Sequence, residues 1–476
     1  NISGGTVTLA TTGTTAVTMA NANAGTANAT IGITAGTLTV QGDILRGTGS
    51  GTRNATLTLN GGTLDMTGKS IGASTNAITF NAQSGTLKNL AEFNGGGSFT
   101  KTTTGTLYMD GVNSYTGPTT VTDGTLQFLR ETALYNNTSA SWTAANIAVS
   151  NTATAAFNVG GTGEFTASDV DIIKSLGTST GGFTNGSFIG LDTTNATGGS
   201  FTYGGSIADT NSGANTVGLK KLGANTLVLT ETSTYSGTTS VAAGTLQVGD
   251  GSTGALIGSG IVTVSTTATL SGSGSIAGAT VITSGAFLAP GVGATDTSNQ
   301  TLTFTAAGTA VNVNDGGQIQ LGLTSSSQVD SAFDLSGSAL SYLNTHGGAT
   351  GTAYTTIWDQ SGNYDSIQLT NGTFTLGTTA GGTIKVVNNS ATLGVGSIFK
   401  LLDWTTVGTA DSLAGSGSFT LADLDLAAVA LGSGLSWDTS ALTTYGVIVV
   451  VPEPSRILLL MLGLSSFALR RRRKVS

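Results

Sequence analysis

Residues 99–129 carry the most regular alternation of apolar and polar positions in the chain. In the segment GTLYMDG, Leu107 and Met109 alternate with polar residues, and Leu126 and Phe128 do the same in GTLQFL. A period of two is typical of a strand that buries one face, and the Gly and Asn residues between the segments supply the backbone geometry of turns. The pattern predicts short strands with a shared apolar face, which a stack of units can bury and a single unit cannot.

The same unit returns without a gap at residues 219–249, displaced by 120 positions. The identical positions, 11 of 31, are in the first copy Lys101, Thr106, Leu107, Tyr115, Gly117, Thr119, Val121, Gly124, Thr125, Leu126 and Gln127. Apolar differences are conservative, as between Met109 and Leu229. Core-facing residues persist while polar positions vary, which is typical of a structural repeat.

The unit resembles the passenger-associated transport repeat, also called the autotransporter-associated β-strand repeat, in its GTLxL, YxG and GTLQ elements. Shorter segments resemble parts of it: GTLTV at 36–40, GTLDM at 62–66 and GTLKN at 85–89. The resemblance implies an all-β chain folded as a right-handed parallel β-helix. The spacing by itself predicts only a β-repeat.

We predict four regions along the chain. Residues 1–98 form a β-solenoid with weak repeats, and residues 99–310 continue it with the two clear copies. Residues 311–450 lose the GTL signature but keep alternation in GGQIQLGL, GTFTLG and GTIKVV, with a short helical pattern in SALSYLN. This β-rich module would cover the last coil, whose open edge invites aggregation. Residues 451–476 form a tail of different composition.

A short helical insertion is predicted near 166–177, in TASDVDIIKSLG. Ser168 is the expected N-cap, Asp171 reaches back to it, and the apolar residues that follow share one face. The next segment returns to strand alternation, and we expect its aromatic side chains to stack on one another in the core rather than to form a sugar-binding platform. These aromatic residues are Phe183, Phe188, Phe201 and Tyr203.

Composition narrows the class of protein. The chain has 72 glycines, 38% hydrophobic residues and only 9% charged residues, a balance that is typical of secreted β proteins rather than of charged disordered chains. The absence of cysteine excludes disulfides and thiolate metal sites. The single histidine, His346, is predicted to be an ordinary loop residue, and we expect neither a cofactor nor a metal. A net charge of −8 argues against binding to nucleic acid, which basic surfaces bind.

The sharpest change of composition is at the end of the chain. The segment Val451, Pro452, Glu453, Pro454 and Ser455 precedes an apolar run at 457–469, and the cluster of Arg470, Arg471, Arg472 and Arg473 follows it. This order resembles the PEP-CTERM sorting tail, which implies an exosortase-like membrane protease as partner, transient anchoring of a hydrophobic sorting helix in the bacterial inner membrane, and cleavage at or near Pro452 to Pro454. The arginines would hold the end on the cytoplasmic side. The 13 apolar residues reach only about 20 Å as a helix, less than the hydrocarbon core.

Candidate catalytic groups are sparse. The carboxylate pairs that could support hydrolysis are Asp330 and Asp334, Asp359 and Asp365, and Asp423 and Asp425. Each pair lies among Ser, Gly and Thr residues, which is typical of turns. Arg130 and Glu131 are predicted to form a local surface pair.

We therefore expect a non-enzymatic, exported bacterial protein of the cell surface, outer membrane or extracellular matrix, structural or adhesive, which is sorted through its tail. Extracellular polysaccharide is a further candidate partner. The alternative is a surface polysaccharide lyase or hydrolase on the same β-helix scaffold. A passenger with its own barrel would need amphipathic strands of roughly ten residues at the C-terminus, and we do not expect one because the chain ends in RRRRKVS.

Overall fold

The computed structural model describes residues 1–251, 253–256, 258–291, 300–323, 365–376, 383–388, 393–394, 397–403, 423–442 and 446–453. The chain divides into two compact units. The first comprises Asn1–Leu270 and Ser275–Val281, and the second Ser271–Gly274 and the chain from Ile282 onward.

Short strands joined by tight turns make up most of the described residues. The first twelve are β1 (Ile2–Leu9), β2 (Thr15–Met19), β3 (Thr26–Val40), β4 (Asp43–Arg46), β5 (Thr52–Ile71), β6 (Thr79–Phe93), β7 (Phe99–Lys101), β8 (Thr106–Asp110), β9 (Thr119–Val121), β10 (Thr125–Phe128), β11 (Ile147–Val149) and β12 (Thr154–Asn158). Helix α1 (Ala167–Lys174) follows, and then β13 (Gly182–Phe183), β14 (Ser187–Asp192), β15 (Ser200–Tyr203), β16 (Val217–Leu222), β17 (Thr226–Leu229), β18 (Thr232–Ser233), β19 (Thr239–Val241), β20 (Thr245–Val248), β21 (Ala255–Leu256), β22 (Val262–Val264), β23 (Thr269–Gly272), β24 (Ser275–Ile276) and β25 (Thr280–Ile282).

The remaining strands are β26 (Phe287–Pro290), β27 (Thr301–Phe304), β28 (Thr309–Val313), β29 (Gln318–Leu323), β30 (Ser366–Leu369), β31 (Thr373–Leu376), β32 (Thr383–Asn388), β33 (Ile398–Lys400), β34 (Leu402–Asp403), β35 (Leu424–Asp425), β36 (Leu435–Asp438) and β37 (Val447–Pro452). Single 3-10 turns lie at Glu131–Ala133, Tyr135–Asn137, Ser139–Ser141, Thr197–Gly199 and Asn211–Gly213.

The strands of the first unit stack in parallel, coil upon coil. One stack runs from β1 through β3, β5, β6, β8, β10 and β12 to β14, each strand pairing with the next in parallel. Its inward column consists of Leu38, Leu64, Leu87, Met109, Phe128, Phe157 and Leu191, each at most 1% exposed. Period-two alternation therefore produces a continuous apolar core along the stack. The predicted parallel solenoid is confirmed; its right hand remains an implication of the resemblance.

The two sequence repeats occupy different places in this order of pairing. Strand β10 of the first copy continues through β12 and β14 into β16, which opens the second copy. Strand β16 corresponds in sequence to β7, not to β10. Strand β17 of the second copy, which is equivalent to β8, pairs instead with β15 in another sheet. Equivalent sequences thus lie on different faces of the stack.

The predicted insertion helix is present as α1, but its cap differs from the prediction. Thr166 is the N-cap: its hydroxyl accepts a hydrogen bond from the Asp169 amide at 3.4 Å, and the Asp169 carboxylate accepts one from the Thr166 amide at 2.8 Å. The expected cap, Ser168, lies inside the helix. Asp171 instead accepts a hydrogen bond from the Tyr203 hydroxyl at 2.6 Å and so ties α1 to β15. The reason is that an N-cap must precede the first helical residue, and Thr166 with Asp169 satisfies the same spacing two residues earlier.

Aromatic side chains stack in the core, although not the four that were predicted to contact one another. One run of ring contacts joins Phe80, Phe93, Phe99, Tyr115 and Tyr135, and another joins Phe128, Phe157, Phe165 and Trp142. Phe183, Phe201 and Tyr203 are buried as single rings. Phe188 lies half-buried under the Lys220 ammonium, 4.6 Å from the ring centre. The expectation that these four rings stack on one another is wrong. Phe201 and Tyr203 lie on β15, in a different sheet from Phe183 and Phe188 on β13 and β14.

The second unit combines parallel pairs with a small antiparallel sheet. Strands β29 and β32 pair in parallel over six residues, as do β28 and β31 over four. These strands contain the alternating segments that predicted a β-rich C-terminal module. Strand β37 lies between β33 and β36 and is antiparallel to both. The SALSYLN segment and the expected sorting helix lie outside the described residues.

The position of the helix cap can be tested by two single substitutions. Thr166→Ala removes the capping hydroxyl and should lower the local opening free energy of α1 by about 1 kcal/mol, seen as faster amide hydrogen exchange in residues 167–174. The matched control Ser168→Ala should leave exchange unchanged. A larger effect of Ser168→Ala would mean that the helix begins where the sequence alone suggested.

Candidate functional site

The two halves of each repeat are neighbouring coils. In the first copy Thr106 lies beside Thr125, and in the second Thr226 lies beside Thr245, so β8 pairs with β10 and β17 with β20, in parallel and in the same register. Each copy therefore supplies the first neighbour for its own apolar face. This explains how a segment of only 31 residues can act as a stacking unit.

A glycine at the same position of each copy permits this close stacking. Gly124 and Gly244 have φ angles of +67° and +62°. A Cβ atom at either position would collide with carbonyl oxygens of the preceding turn, such as that of Thr103 in the first copy and Asn225 in the second. The glycine of the GTL segment is therefore required both for its backbone conformation and for lack of space.

The repeated lysine is buried in both copies. Lys101 and Lys221 are 0% exposed. Each points into the core, and their register partners on the neighbouring strand are Val121 and Val241 respectively. The Lys101 ammonium donates to the carbonyl of Thr103 and, at 3.3 Å, to that of Asp123. A cation in the core thus satisfies carbonyls of two successive turns.

The Lys221 ammonium has the equivalent arrangement in the second copy. It donates to the carbonyls of Leu222 and Gly223, both at 2.7 Å, and to that of Ala243 at 3.0 Å. Burial lowers the pKa of Lys221 to about 8, and the charge of Asp192 opposes this shift. Burial likewise lowers the pKa of Lys101, against the charge of Asp123.

A tyrosine–threonine hydrogen bond is also repeated. The Tyr115 and Thr119 hydroxyls lie 2.8 Å apart, and those of Tyr235 and Thr239 lie 2.6 Å apart. In the first copy the hydroxyl of Tyr135 adds a second contact to Thr119, at 3.0 Å. Burial raises the pKa of both repeated tyrosines. The identical Tyr and Thr of the two copies are therefore a buried polar pair inside the core.

A further buried polar network is centred on a glutamine of the first copy. The Gln127 amide donates to Asn158 at 2.7 Å and to the Asp192 carboxylate at 2.8 Å. Glu164 accepts from Asn158 at 3.4 Å and from Asn195 at 2.8 Å. The sequence analysis did not predict this network. The only pattern that could have indicated it is the recurrence of Gln127 as Gln247. Gln247 instead donates to the Gly249 carbonyl at 3.0 Å, so the network belongs to the first copy.

Three of the proposed catalytic carboxylates, Asp330, Asp334 and Asp359, lie outside the described residues, as does His346. Asp365 is buried and accepts a hydrogen bond from the Gly322 amide at 2.8 Å. Asp425 accepts one from the Ala427 amide at 2.9 Å, two residues on, as expected of a turn aspartate.

The predicted pair of Arg130 and Glu131 is wrong. Arg130 donates to Asp110 at 2.7 Å, and Glu131 accepts from Asn137 at 2.8 Å. Burial and the neighbouring Asp169 raise the pKa of Glu131. The two side chains leave the backbone in different directions because Arg130 has extended backbone whereas Glu131 opens a 3-10 turn.

Within the described ranges, no group of three His, Cys, Asp or Glu side chains could hold a metal ion. In the same part of the chain, no helix is both long enough and apolar enough to cross a membrane.

Only the first part of the predicted sorting motif falls within the described residues. Val451 and Pro452 end strand β37, and the Glu453 amide donates to the Gly434 carbonyl at 2.8 Å. Pro454, Ser455, the apolar run and the arginine cluster lie outside the described residues. The motif therefore begins inside a paired strand.

The fold and the shared features of the two copies define a parallel β-solenoid that contains a stacking repeat. The family model described as passenger-associated-transport-repeat matches residues 99–128 and 219–248. The resemblance to that repeat is thus confirmed for these two segments, and it indicates an exported, surface-associated protein of the passenger kind. No curated protein matches the chain.

The buried lysine can be tested against its neighbour in sequence. Lys221→Met should lower the free energy of unfolding by about 1–3 kcal/mol, because buried carbonyls lose a donor. The control Lys220→Met should have a smaller effect, since Lys220 lies half-buried on Phe188. Chemical denaturation of both variants gives the comparison, and equal effects would contradict a special role for Lys221.

The lowered pKa of Lys221 also predicts how the effect of Lys221→Met on stability depends on pH. The folded value of about 8 lies below the ordinary value of 10.5, so between these values the unfolded chain binds more protons and stability rises with pH. The stability difference between the unmodified protein and Lys221→Met should grow by about 2 kcal/mol from pH 8 to pH 10. A difference that shrinks over this range would show that the carbonyls hold the ammonium charged.

The tyrosine pairs should respond unequally to loss of the hydroxyl. Tyr235→Phe leaves Thr239 without its side-chain partner and should cost about 1 kcal/mol. Tyr115→Phe should cost less because Thr119 keeps Tyr135. The exposed Tyr108 provides the control, Tyr108→Phe, with no expected change. Equal losses at Tyr115 and Tyr235 in denaturation experiments would refute this assignment.

Proposed function

We propose that this chain is a structural or adhesive component of the bacterial cell surface or extracellular matrix, sorted through its C-terminal tail. The main support for this proposal is the stacked repeat, whose identical residues pack in the core or form the turns. Lys101 and Gly124, and their equivalents in the second copy, hold one coil on the next, and Tyr115 and its equivalent tie a turn to the strand that follows it. A repeat with this design supplies length and an extended surface.

The tail supports export and processing. Its order of motif, apolar run and arginines suits recognition by an exosortase-like membrane protease after transient insertion in the inner membrane. The arginines Arg470 to Arg473 would orient the segment, since a cluster of arginines stays on the cytoplasmic side.

The geometry of β37 restricts where processing can occur without loss of structure. Val447, Ile448, Val449 and Val450 are 0% exposed, and the strand lies between two partners. A cut within this strand would remove the centre of the sheet. We therefore place the cut after Glu453, whose amide still bonds to Gly434.

Mass spectrometry of the protein from the surface, membrane and medium fractions of the producing bacterium tests the proposal. We expect a mature C-terminus at Glu453 or a few residues later, in the surface or medium fraction. Replacing Arg470 to Arg473 with glutamine should leave the uncut chain to accumulate, because the membrane segment loses its orienting charge. An intact Ser476 confined to membranes would refute processing, and a mature end before Val447 would refute the placement of the cut.

A further inference from the structure

A charged cluster crosses three consecutive coils of the first unit. Lys88 of β6 is the register partner of Asp110 of β8, and its ammonium lies 3.1 Å from the Asp110 carboxylate. Arg130, just after β10, donates to the other oxygen of Asp110 at 2.7 Å. The side chains of Lys88 and Arg130 are 34% and 49% exposed, whereas that of Asp110 is 13% exposed. Two accessible cations therefore share one covered carboxylate.

Exposed apolar side chains flank this cluster, Tyr108 on β8 and Val112 in the turn that follows it. Tyr108 and Val112 are 36% and 48% exposed, and they are two of the five large apolar side chains exposed among the described residues. Tyr108 lies two residues before Asp110, hence on the same face and roughly 7 Å away along the strand. We call Lys88, Tyr108, Asp110, Val112 and Arg130 the Asp110 patch.

Most of the hydrogen-bonding capacity left in the Asp110 patch lies on donors. Arg130 uses only its Nε atom, and the Tyr108 hydroxyl, which can donate or accept, has no partner among the described residues. The Asp110 oxygens are already engaged by Lys88, Arg130 and the Gly111 amide, and these hydrogen bonds hold the pKa of Asp110 below its usual range despite burial. The two Nη groups of Arg130 are therefore the donors that a ligand can reach.

Two acidic residues beside the patch are engaged by other groups. Asp65, the register partner of Lys88, accepts hydrogen bonds from Asn89 and from the Thr67 amide, both at 2.9 Å. Glu131, next to Arg130, is engaged with Asn137. Neither acid forms an ion pair with Lys88 or Arg130 in the described part of the chain. Without these two neighbours, the five residues of the patch carry one net positive charge.

The second repeat shows that the scaffold does not require this cluster. At the equivalent positions it has Val228 for Tyr108, Thr230 for Asp110, Thr232 for Val112 and Asp250 for Arg130. Its strands pair in the same register without these side chains. The cluster is therefore an addition to the first copy rather than part of its folding.

We propose that the Asp110 patch binds a segment of acidic polysaccharide, with a sugar ring against Tyr108 and a uronate carboxylate on the two unused Nη groups of Arg130. A planar guanidinium with two unused Nη groups suits a carboxylate, and a tyrosine ring offers an apolar face with a polar edge. This inference rests on the proposed surface location, where the protein would meet such a polymer, and it names the ligand class that the location leaves open.

Fluorescence anisotropy with a labelled oligogalacturonate tests the proposal on the full chain. Arg130→Gln and Tyr108→Val should each weaken binding by about tenfold or more, with the melting temperature unchanged. Tyr108→Val installs the residue found in the second copy, so folding is expected to survive. Lys220→Gln removes a lysine of the same unit away from the patch and should leave binding unchanged.

The methyl ester of the same oligomer provides the matched ligand, because it keeps the sugar rings and removes the charge. Weaker binding of the ester supports the proposal, and equal binding overturns the assignment to acidic chains. Binding that Lys220→Gln reduces as much as Arg130→Gln would also overturn it, as would the absence of binding. A protein that binds the oligomer but is absent from the cell surface would refute the proposed location and leave the patch in place.

Discussion

Parallel stacking satisfies the backbone along each strand but leaves carbonyl groups exposed to the core at each turn, and the rest of this structure depends on how those groups are satisfied. In each repeat, a fully buried lysine donates to carbonyls of its own turn and of the next one. Burying an ammonium is unfavourable, as the lowered pKa of Lys221 shows. The cost is offset because the same group replaces several water contacts that the core excludes. Gly124 and Gly244 then let the next turn approach closely enough to share the cation.

Inward and outward positions of the repeat are restricted to different degrees. Inward positions, and the turn glycines Gly117 and Gly124, are identical or conservative between the copies because packing and hydrogen bonding restrict them. Outward positions are free to vary, and the first copy uses them for the Asp110 patch. The same reasoning applies to Gln127, which faces outward but is covered by the segment that carries Asn158 and Glu164. Function on this scaffold is therefore expected at outward positions, where the copies differ.

Because of the insertion between the copies, the second copy does not stack on the same face as the first. The stack that contains β10 passes through β12 and β14 into β16, and strands β17 and β20 of the second copy belong to a different sheet from their equivalents β8 and β10. Helix α1 is held in this region by its capping box and by the hydrogen bond from Tyr203 to Asp171. A repeat can recur in sequence without recurring on the same face, because stacking requires only a matching register between neighbours.

The sequence by itself determined the strands, the repeat and the inward residues, since period-two alternation and recurring glycines act locally and are visible in one copy. It also predicted a helix near residues 166–177, although it placed the cap at Ser168, because several residues satisfy the capping spacing and only the folded chain selects Thr166. Only the tertiary structure decided that Arg130 pairs with Asp110 rather than Glu131, that Lys101 and Lys221 point into the core, and that Gln127 reaches Asp192. These contacts join residues of different coils, up to 65 positions apart, and their partners are set by the stacking register, which no local pattern contains.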